Sequence, residues 1–277
     1  MRRGWTGRRG VGSALLVTAA LAVTACGDDE DGGAGAGGGG GSSAPSVDLV
    51  DDGKITTCTH LPYQPFQFEQ GGKIVGFDVD MIDLVAKKLG VEQCIIDTPF
   101  EGIQSGEDLN ARKCDIAAAA MTITPERQEK IDFSAPYFDA NQALLVEKGS
   151  GIKSLDDLEG KTLGVQSGTT GKMYAEENAP EGVELKDYED VALELSSVKS
   201  GQVPAAINDI PVLLDYVKEN PELEVAAQFE TGEQYGFGMK KGTSAELKKV
   251  VDAVIEQSRT DGTYDRIYEK WFGAEPE

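Results

Sequence analysis

From Ile55 to Ile255, apolar runs of strand length alternate with stretches whose apolar residues recur at helical spacing. That alternation commits the chain to an α/β architecture. Ile55–Thr59 predicts a strand. Phe77, Met81, Leu84, Val85 and Leu89 fall on one helical face, with Asp78 and Asp80 in the first turn, Lys87 and Lys88 in the last, and Gly90 as the stop. Val91–Thr98, Cys114–Ala120 and Leu144–Glu147 predict buried strands. A second block opens near Ser154: strands over Lys161–Val165, Val183–Lys186 and Ala205–Asn208, helices over 170–178, 191–199 and 211–219, and a returning strand at Tyr235–Met239. Thr243 with Glu246 has the form of a capping box, ahead of a helix striped by Leu247, Val250, Val251, Val254 and Ile255. At 277 residues the chain is long enough for two domains.

The pattern does not begin at residue 1. Arg2, Arg3, Arg8 and Arg9 precede an apolar run from Val11 to Ala25 that is too short to span a bilayer, the form of a secretory signal peptide. It ends in Val23-Thr24-Ala25-Cys26, which resembles the lipobox of bacterial lipoproteins. That resemblance implies cleavage before Cys26, acylation of its sulfur, and attachment to the outer face of the cell membrane. Residues 27–47 are mostly Gly, Ser and acidic residues, which cannot pack. They predict a flexible tether with a reach of about 25 Å.

A net charge of -22 excludes nucleic acid as a partner. An extracytoplasmic location permits disulfides. Besides Cys26 there are Cys58, Cys94 and Cys114, so one bridge and one remaining thiol are expected, in a spacing that matches no zinc pattern. Nucleophilic catalysis needs a base, and His60 is the single imidazole in the chain. No phosphate loop is present, and no metal or cofactor is expected.

One constellation suits a small zwitterion, which needs a cation and amides for its carboxylate, an anion for its ammonium and a flat wall for its side chain. Arg127 follows Ala118-Ala119-Ala120-Met121-Thr122-Ile123-Thr124-Pro125-Glu126, where an apolar strand ends in hydroxyls. Thr169 and Thr170 open a helix, where free amides favour an anion, and Asp209 follows the strand ending at Asn208. All stand at C-terminal strand ends, where open α/β sheets hold ligands. Each has a plainer reading: Arg127 as a solvated helix residue, Thr169 and Asp209 as helix N-caps, and Tyr63, Phe66, Phe68 and Phe100 as core.

Taken together, GFDVDMIDLVAKKLG (76–90), MTITPER (121–127), IDFSAPYF (131–138), SLDDLEGKTLGVQSGTT (154–170), IND (207–209), YGFGMKKG (235–242) and DGTYDRIYEKWFG (261–273) resemble bacterial extracellular solute-binding protein family 3, the polar amino-acid binders. The resemblance runs from about Lys54 to Gly273. It implies a two-lobed, periplasmic-binding-protein-like (type II) fold with a cleft between lobes: 48–145 and 238–277 as lobe one, 146–237 as lobe two, joined near Leu144–Glu147 and Gly236–Lys240. It implies that the protein is no enzyme but a monomeric lipoprotein that captures a free polar amino acid by cleft closure and delivers it to an ABC permease. The alternatives are a ligand-sensing module or a cyclohexadienyl-dehydratase-like enzyme on the same scaffold. By the same resemblance Arg127 takes the ligand carboxylate, with Thr122 and the Ala120 backbone beside it and Thr170 donating from the second lobe. Asp209 takes the ammonium, and Tyr63 and Phe100 wall the cleft. His60 stands where relatives often carry Asp, which implies neutral polar or acidic ligands in preference to arginine and lysine. Pro204 replaces a usual Asp, and Ala119 and Ala120 replace polar residues of some relatives.

Overall fold

The computed structural model describes residues 47–274 and 276. The leader, Cys26 and nearly all of the tether lie outside them, so the readings made there are not addressed. The first half builds one sheet. Its strands are β1 (Lys54–Thr59), β4 (Glu92–Asp97), β5 (Ile116–Ala117) and β6 (Ile131–Phe133), with β2 (Phe68–Gln70) and β3 (Lys73–Val75) forming a separate hairpin. The second half builds another from β7 (Phe138–Glu147), β8 (Thr162–Gln166), β9 (Glu184–Tyr188), β10 (Ala205–Asp209) and β11 (Leu223–Tyr235). The chain then returns to the first sheet as β12 (Gly238–Lys240). The orders are β4-β1-β5-β12-β6 and β11-β7-β10-β8-β9. In the first, β1 runs parallel to β4 and β5; in the second, β8 runs parallel to β9 and β10. The fold class is the expected two-lobed α/β, and no helix among the described residues is long and apolar enough to cross a membrane.

Helix α1 (Phe77–Leu89) spans the residues the periodicity marks and buries Phe77, Met81, Ile82, Val85 and Leu89. Its N-cap, Gly76, has φ +143°, and a Cβ there would stand 2.0 Å from the Phe66 carbonyl oxygen, so only glycine fits. Two short helices, α2 (Phe100–Gln104) and α3 (Glu107–Asn110), follow β4, and α4 (Pro125–Lys130) follows β5. The second sheet carries α5 (Thr170–Asn178), α6 (Val191–Lys199) and α7 (Ile210–Glu219). The C-terminal α8 (Ala245–Thr260) and α9 (Thr263–Phe272) return to pack on α1. A disulfide ties Cys58 of β1 to Cys114. No cysteine among the described residues is free, so the thiol expected to be left over is not observed.

Three expectations are corrected. The sheet changes between Phe133 and Phe138, upstream of the crossing expected near Leu144–Glu147, because β7 is paired with β11 from Phe138 onward. The polar Asp139, Asn141 and Gln142 broke the apolar run that would have marked its first half. On the return the chain leaves the second sheet at Tyr235 and enters the first at Gly238, with Gly236-Phe237 between them. The two crossings hold each other: Ser134 N–H donates to the Phe237 carbonyl (2.9 Å), and Tyr137 N–H donates to the Tyr235 carbonyl (3.0 Å). A Cβ at Gly236 would meet Ile123 Cδ1 at 2.8 Å. The second correction is β11, thirteen residues long and unpredicted. It lies at the edge of its sheet, alternates exposed acidic and polar residues with half-buried ones, and carries register shifts, so it lacks the apolar signature of an interior strand. Third, the Thr243–Glu246 capping box is absent: Ser244 is the α8 N-cap, without a side-chain bond, and Glu246 pairs with Lys249 instead.

Candidate functional site

The two sheets face each other across a cavity lined by His60, Tyr63, Gln67, Phe100, Ala119, Ala120, Thr122, Arg127, Gln166, Thr169, Thr170 and Asp209. Every cleft residue singled out from the sequence is among them.

Arg127 sits on α4, whose N-cap Thr124 accepts the Arg127 N–H (3.2 Å). Only 2% of it is exposed, which excludes the solvated-helix reading. Nη1 donates to the Thr122 carbonyl (2.7 Å) and Nη2 to the Gly168 carbonyl across the cleft (2.9 Å), while Nε has no protein partner. The guanidinium carbon lies 5.5 Å from the Phe100 ring centre. Both partners are neutral carbonyls. Burial therefore lowers the Arg127 pKa to about 10 against the pull of Asp209 and Glu233.

Asp209 ends β10 at the start of α7, yet its side chain makes no helix-capping bond. It turns into the cleft and accepts from three donors: Tyr63 Oη (2.6 Å) and Tyr235 Oη at Oδ2, and Gln142 Nε2 at Oδ1. Burial first, and then the nearby Glu233 carboxylate, raise its pKa to about 6, the three donors opposing. Tyr63 comes from the first lobe, so this contact bridges the cleft. Tyr63 is thus a hydrogen-bond donor as well as a wall, and its hydroxyl also lies 2.8 Å from Asn208 Oδ1. Asn208 is fixed in turn by the fully buried Glu194 (Nδ2 to Oε2, 2.7 Å), whose carboxyl burial pushes up.

Thr169 is the α5 N-cap, accepting the Lys172 N–H at 3.2 Å, so the plainer reading holds for its hydroxyl. The hydroxyls of Thr122 and Thr170 both donate to Glu233 Oε2, at 2.8 and 2.5 Å, and Gln142 Nε2 stands 3.3 Å from each Glu233 oxygen. The protons of both threonine hydroxyls are therefore committed within the protein. What Thr122 and Thr170 retain for a ligand is backbone N–H and oxygen lone pairs. Glu233, Gln142, Tyr235, Gln67 and Gln166 are site residues that sequence reasoning missed. The signal available for Glu233 was its place two residues before the YGF motif; Gln142 and Gln166 lie on strands as polar interruptions of apolar runs.

Ala120 adopts the left-handed conformation, φ +46°, unusual for a residue with a Cβ. Asp78, fully buried in the first turn of α1, holds it there: Oδ2 accepts the Ala120 N–H (2.8 Å) and Oδ1 the Tyr137 hydroxyl (2.7 Å). Burial raises the Asp78 pKa to about 7.

At the other end of the cavity, His60 Nδ1 lies 3.0 Å from the Thr98 carbonyl. A carbonyl only accepts, so Nδ1 carries the proton and in the neutral ring Nε2 is a lone pair. Among the described residues no group of three or more His, Cys, Asp or Glu side chains is placed to hold a metal ion.

The model of the bacterial extracellular solute-binding proteins, family 3, matches residues 55–274. The L-cystine-binding protein TcyJ of Escherichia coli is 36% identical over 217 residues, covering 77% of this chain and 80% of its own. The ABC transporter glutamine-binding protein GlnH of Bacillus subtilis is 36% identical, covering 74% and 75%. Among solved structures, an ancestral arginine-binding protein bound to arginine is 42% identical with a TM-score of 0.75, covering 80% of this chain and 99% of that one.

Proposed function

Because this chain belongs to the bacterial extracellular solute-binding proteins, family 3, we propose that it captures a free polar L-amino acid between its lobes and delivers it to the permease of an ABC importer. The observation that carries the reading is a buried cation and a buried anion converging on one cavity from opposite lobes: Arg127, 2% exposed, and Asp209, 6% exposed. An α-amino acid satisfies both. Its carboxylate meets the guanidinium and the backbone N–H groups of Thr122 and Thr170, the Ala120 N–H being taken by Asp78; its ammonium meets Asp209; its side chain lies against Tyr63, Phe100 and His60. The related proteins are named for cystine, glutamine and arginine, all α-amino acids.

Arg127 of one lobe already reaches Gly168 of the other, and Tyr63 reaches Asp209. A ligand that adds contacts to both lobes favours the closed arrangement by those contacts. The division we propose puts the crossings at 134–137 and 236–237, with the intervening stretch as lobe two. We assign the protein no reaction: it works as a monomer outside the cytoplasm, held to the membrane by an acylated Cys26 after removal of residues 1–25, with the Gly-rich tether lifting the lobes from the surface.

Calorimetric titration of the mature protein with the common L-amino acids tests the reading. A one-to-one isotherm with at least one polar amino acid is expected; no binding by any of them would refute it. For the anchor, the mature protein should carry acyl chains by mass spectrometry and Cys26→Ser should lose them. A wild-type protein without acylation would refute that part alone.

A further inference from the structure

The charged end of the cavity accounts for the backbone of an amino acid and leaves its side chain open. Three polar groups stand at the other end. Gln67 is 1% exposed; its Nε2 donates to the His60 carbonyl (3.4 Å), and its buried Oε1 has no protein partner. Gln166, at the end of β8 and 2% exposed, likewise has an unpartnered Oε1. His60 Nε2 is also buried without a partner, and the proton on Nδ1 makes it an acceptor. All three residues line the same cavity. Buried polar atoms without partners are expensive, so a ligand that occupies the cavity has to meet them. The three unpartnered atoms, Gln67 Oε1, Gln166 Oε1 and His60 Nε2, are all acceptors.

We propose that this end of the cavity selects amino acids whose side chain donates N–H hydrogen bonds, a terminal amide or a guanidinium, and rejects those ending in a carboxylate. The inference rests on the reading of the protein as an amino-acid binder and specifies its substrate class. It departs from the expectation drawn from His60 alone. A free imidazole could accept or donate, and so admitted acidic ligands. Bonded to Thr98, its inward nitrogen accepts, which removes the acids and readmits the guanidinium. The surrounding charge acts in the same sense. Asp209 lines the cavity and Glu233 stands beside it, bonded to Thr122 and Thr170. A ligand carboxylate brought to the side-chain end would meet lone pairs at short range and negative charge at longer range.

Glutamine and glutamate are close to isosteric and differ in the group that matters, so the wild-type protein decides without a variant. Calorimetric titration should give glutamine or arginine an affinity about a hundredfold or more above that of glutamate. The tighter of the two identifies the donor as amide or guanidinium. Glutamate within tenfold of both, or tighter, would overturn the inference while leaving the amino-acid reading intact. No binding by any of the three would overturn the inference alone, and the amino-acid reading would then stand or fall on the titration with the other common L-amino acids. Gln67→Met keeps the length of the side chain and deletes the acceptor. With its fold verified by circular dichroism, it should lose at least tenfold for the preferred ligand and less than threefold for glutamate. An unchanged preference would also overturn the assignment.

Discussion

The two ends of the cleft are built on different principles. At one end Arg127 and Asp209 are ionisable, buried and displaced from their ordinary pKa values, downward to about 10 and upward to about 6. At the other, His60, Gln67 and Gln166 present neutral lone pairs. In the function proposed, the charged end holds what all α-amino acids share, so it carries affinity with little discrimination among them. The neutral end meets the part that varies, and a misplaced acceptor there costs the wrong ligand more than a well-placed one gains for the right ligand. Removing charge should therefore weaken all ligands alike, and changing an acceptor should reorder them.

The largest effect is expected from the charged end. Arg127→Ala and Asp209→Ala each strand a buried partner, a loss of about 3–5 kcal/mol, or two to three and a half orders of magnitude in affinity. The loss should be similar for all ligands the wild type binds. Titrations in which either variant keeps near-native affinity, or loses one amino acid and not another, would break the division of labour.

A smaller effect is set by protonation. Asp209 has to be ionised to hold an ammonium group, and burial with Glu233 nearby has raised its pKa to about 6. Affinity should be level from pH 8 down to about 6 and then fall, at most tenfold per unit. The sign is opposite for the stability of the unliganded protein. A raised carboxyl contributes stability that is fully present below its unfolded pKa of 3.8 and lost as pH rises through about 6. Acidification from 7 to 5 should thus weaken the complex while favouring the Asp209 contribution to the free fold. An affinity flat down to pH 4.5 would contradict the assignment of Asp209 to the ammonium.

The smallest effect separates scaffold from chemistry. Ala120 holds φ +46° under the grip of Asp78. Left-handed backbone costs a residue with a Cβ about 1–2 kcal/mol, partly offset on substitution by the extra unfolded freedom of glycine. Ala120→Gly should raise stability by up to about 1 kcal/mol, read by denaturant unfolding, and change affinity less than threefold. A destabilised variant would show that the methyl group is packed to advantage.

The legible half of this molecule is its interior. Helix α1 and helix α6 have the bounds that their apolar spacing gave, and the strands before each cleft residue were visible as apolar runs. Arg127 and Asp209 stood out because they follow apolar strands, Thr170 because it opens a helix, and His60 because it is the single imidazole. What was hidden is polar and paired over long sequence distances. β11 carries Glu233 and Tyr235 on an exposed edge whose acidic alternation resembles solvent-facing coil. The first half of β7 hides Gln142, whose role depends on Asp209, 67 positions away. No local pattern reports that the hydroxyls of Thr122 and Thr170 are spent on Glu233, or that Thr98 sets the tautomer of His60.

The central claim is that Arg127 and Asp209 grip the two charges of an amino acid, and it is tested most directly by removing those charges from the ligand. The unmodified protein would be titrated with its preferred amino acid, with the α-amide of that amino acid and with its N-acetyl derivative. We predict that the amide, which has nothing for Arg127, and the acetyl derivative, which has nothing for Asp209, each bind at least a hundredfold more weakly. A blocked derivative that binds as tightly as the free amino acid would contradict the account.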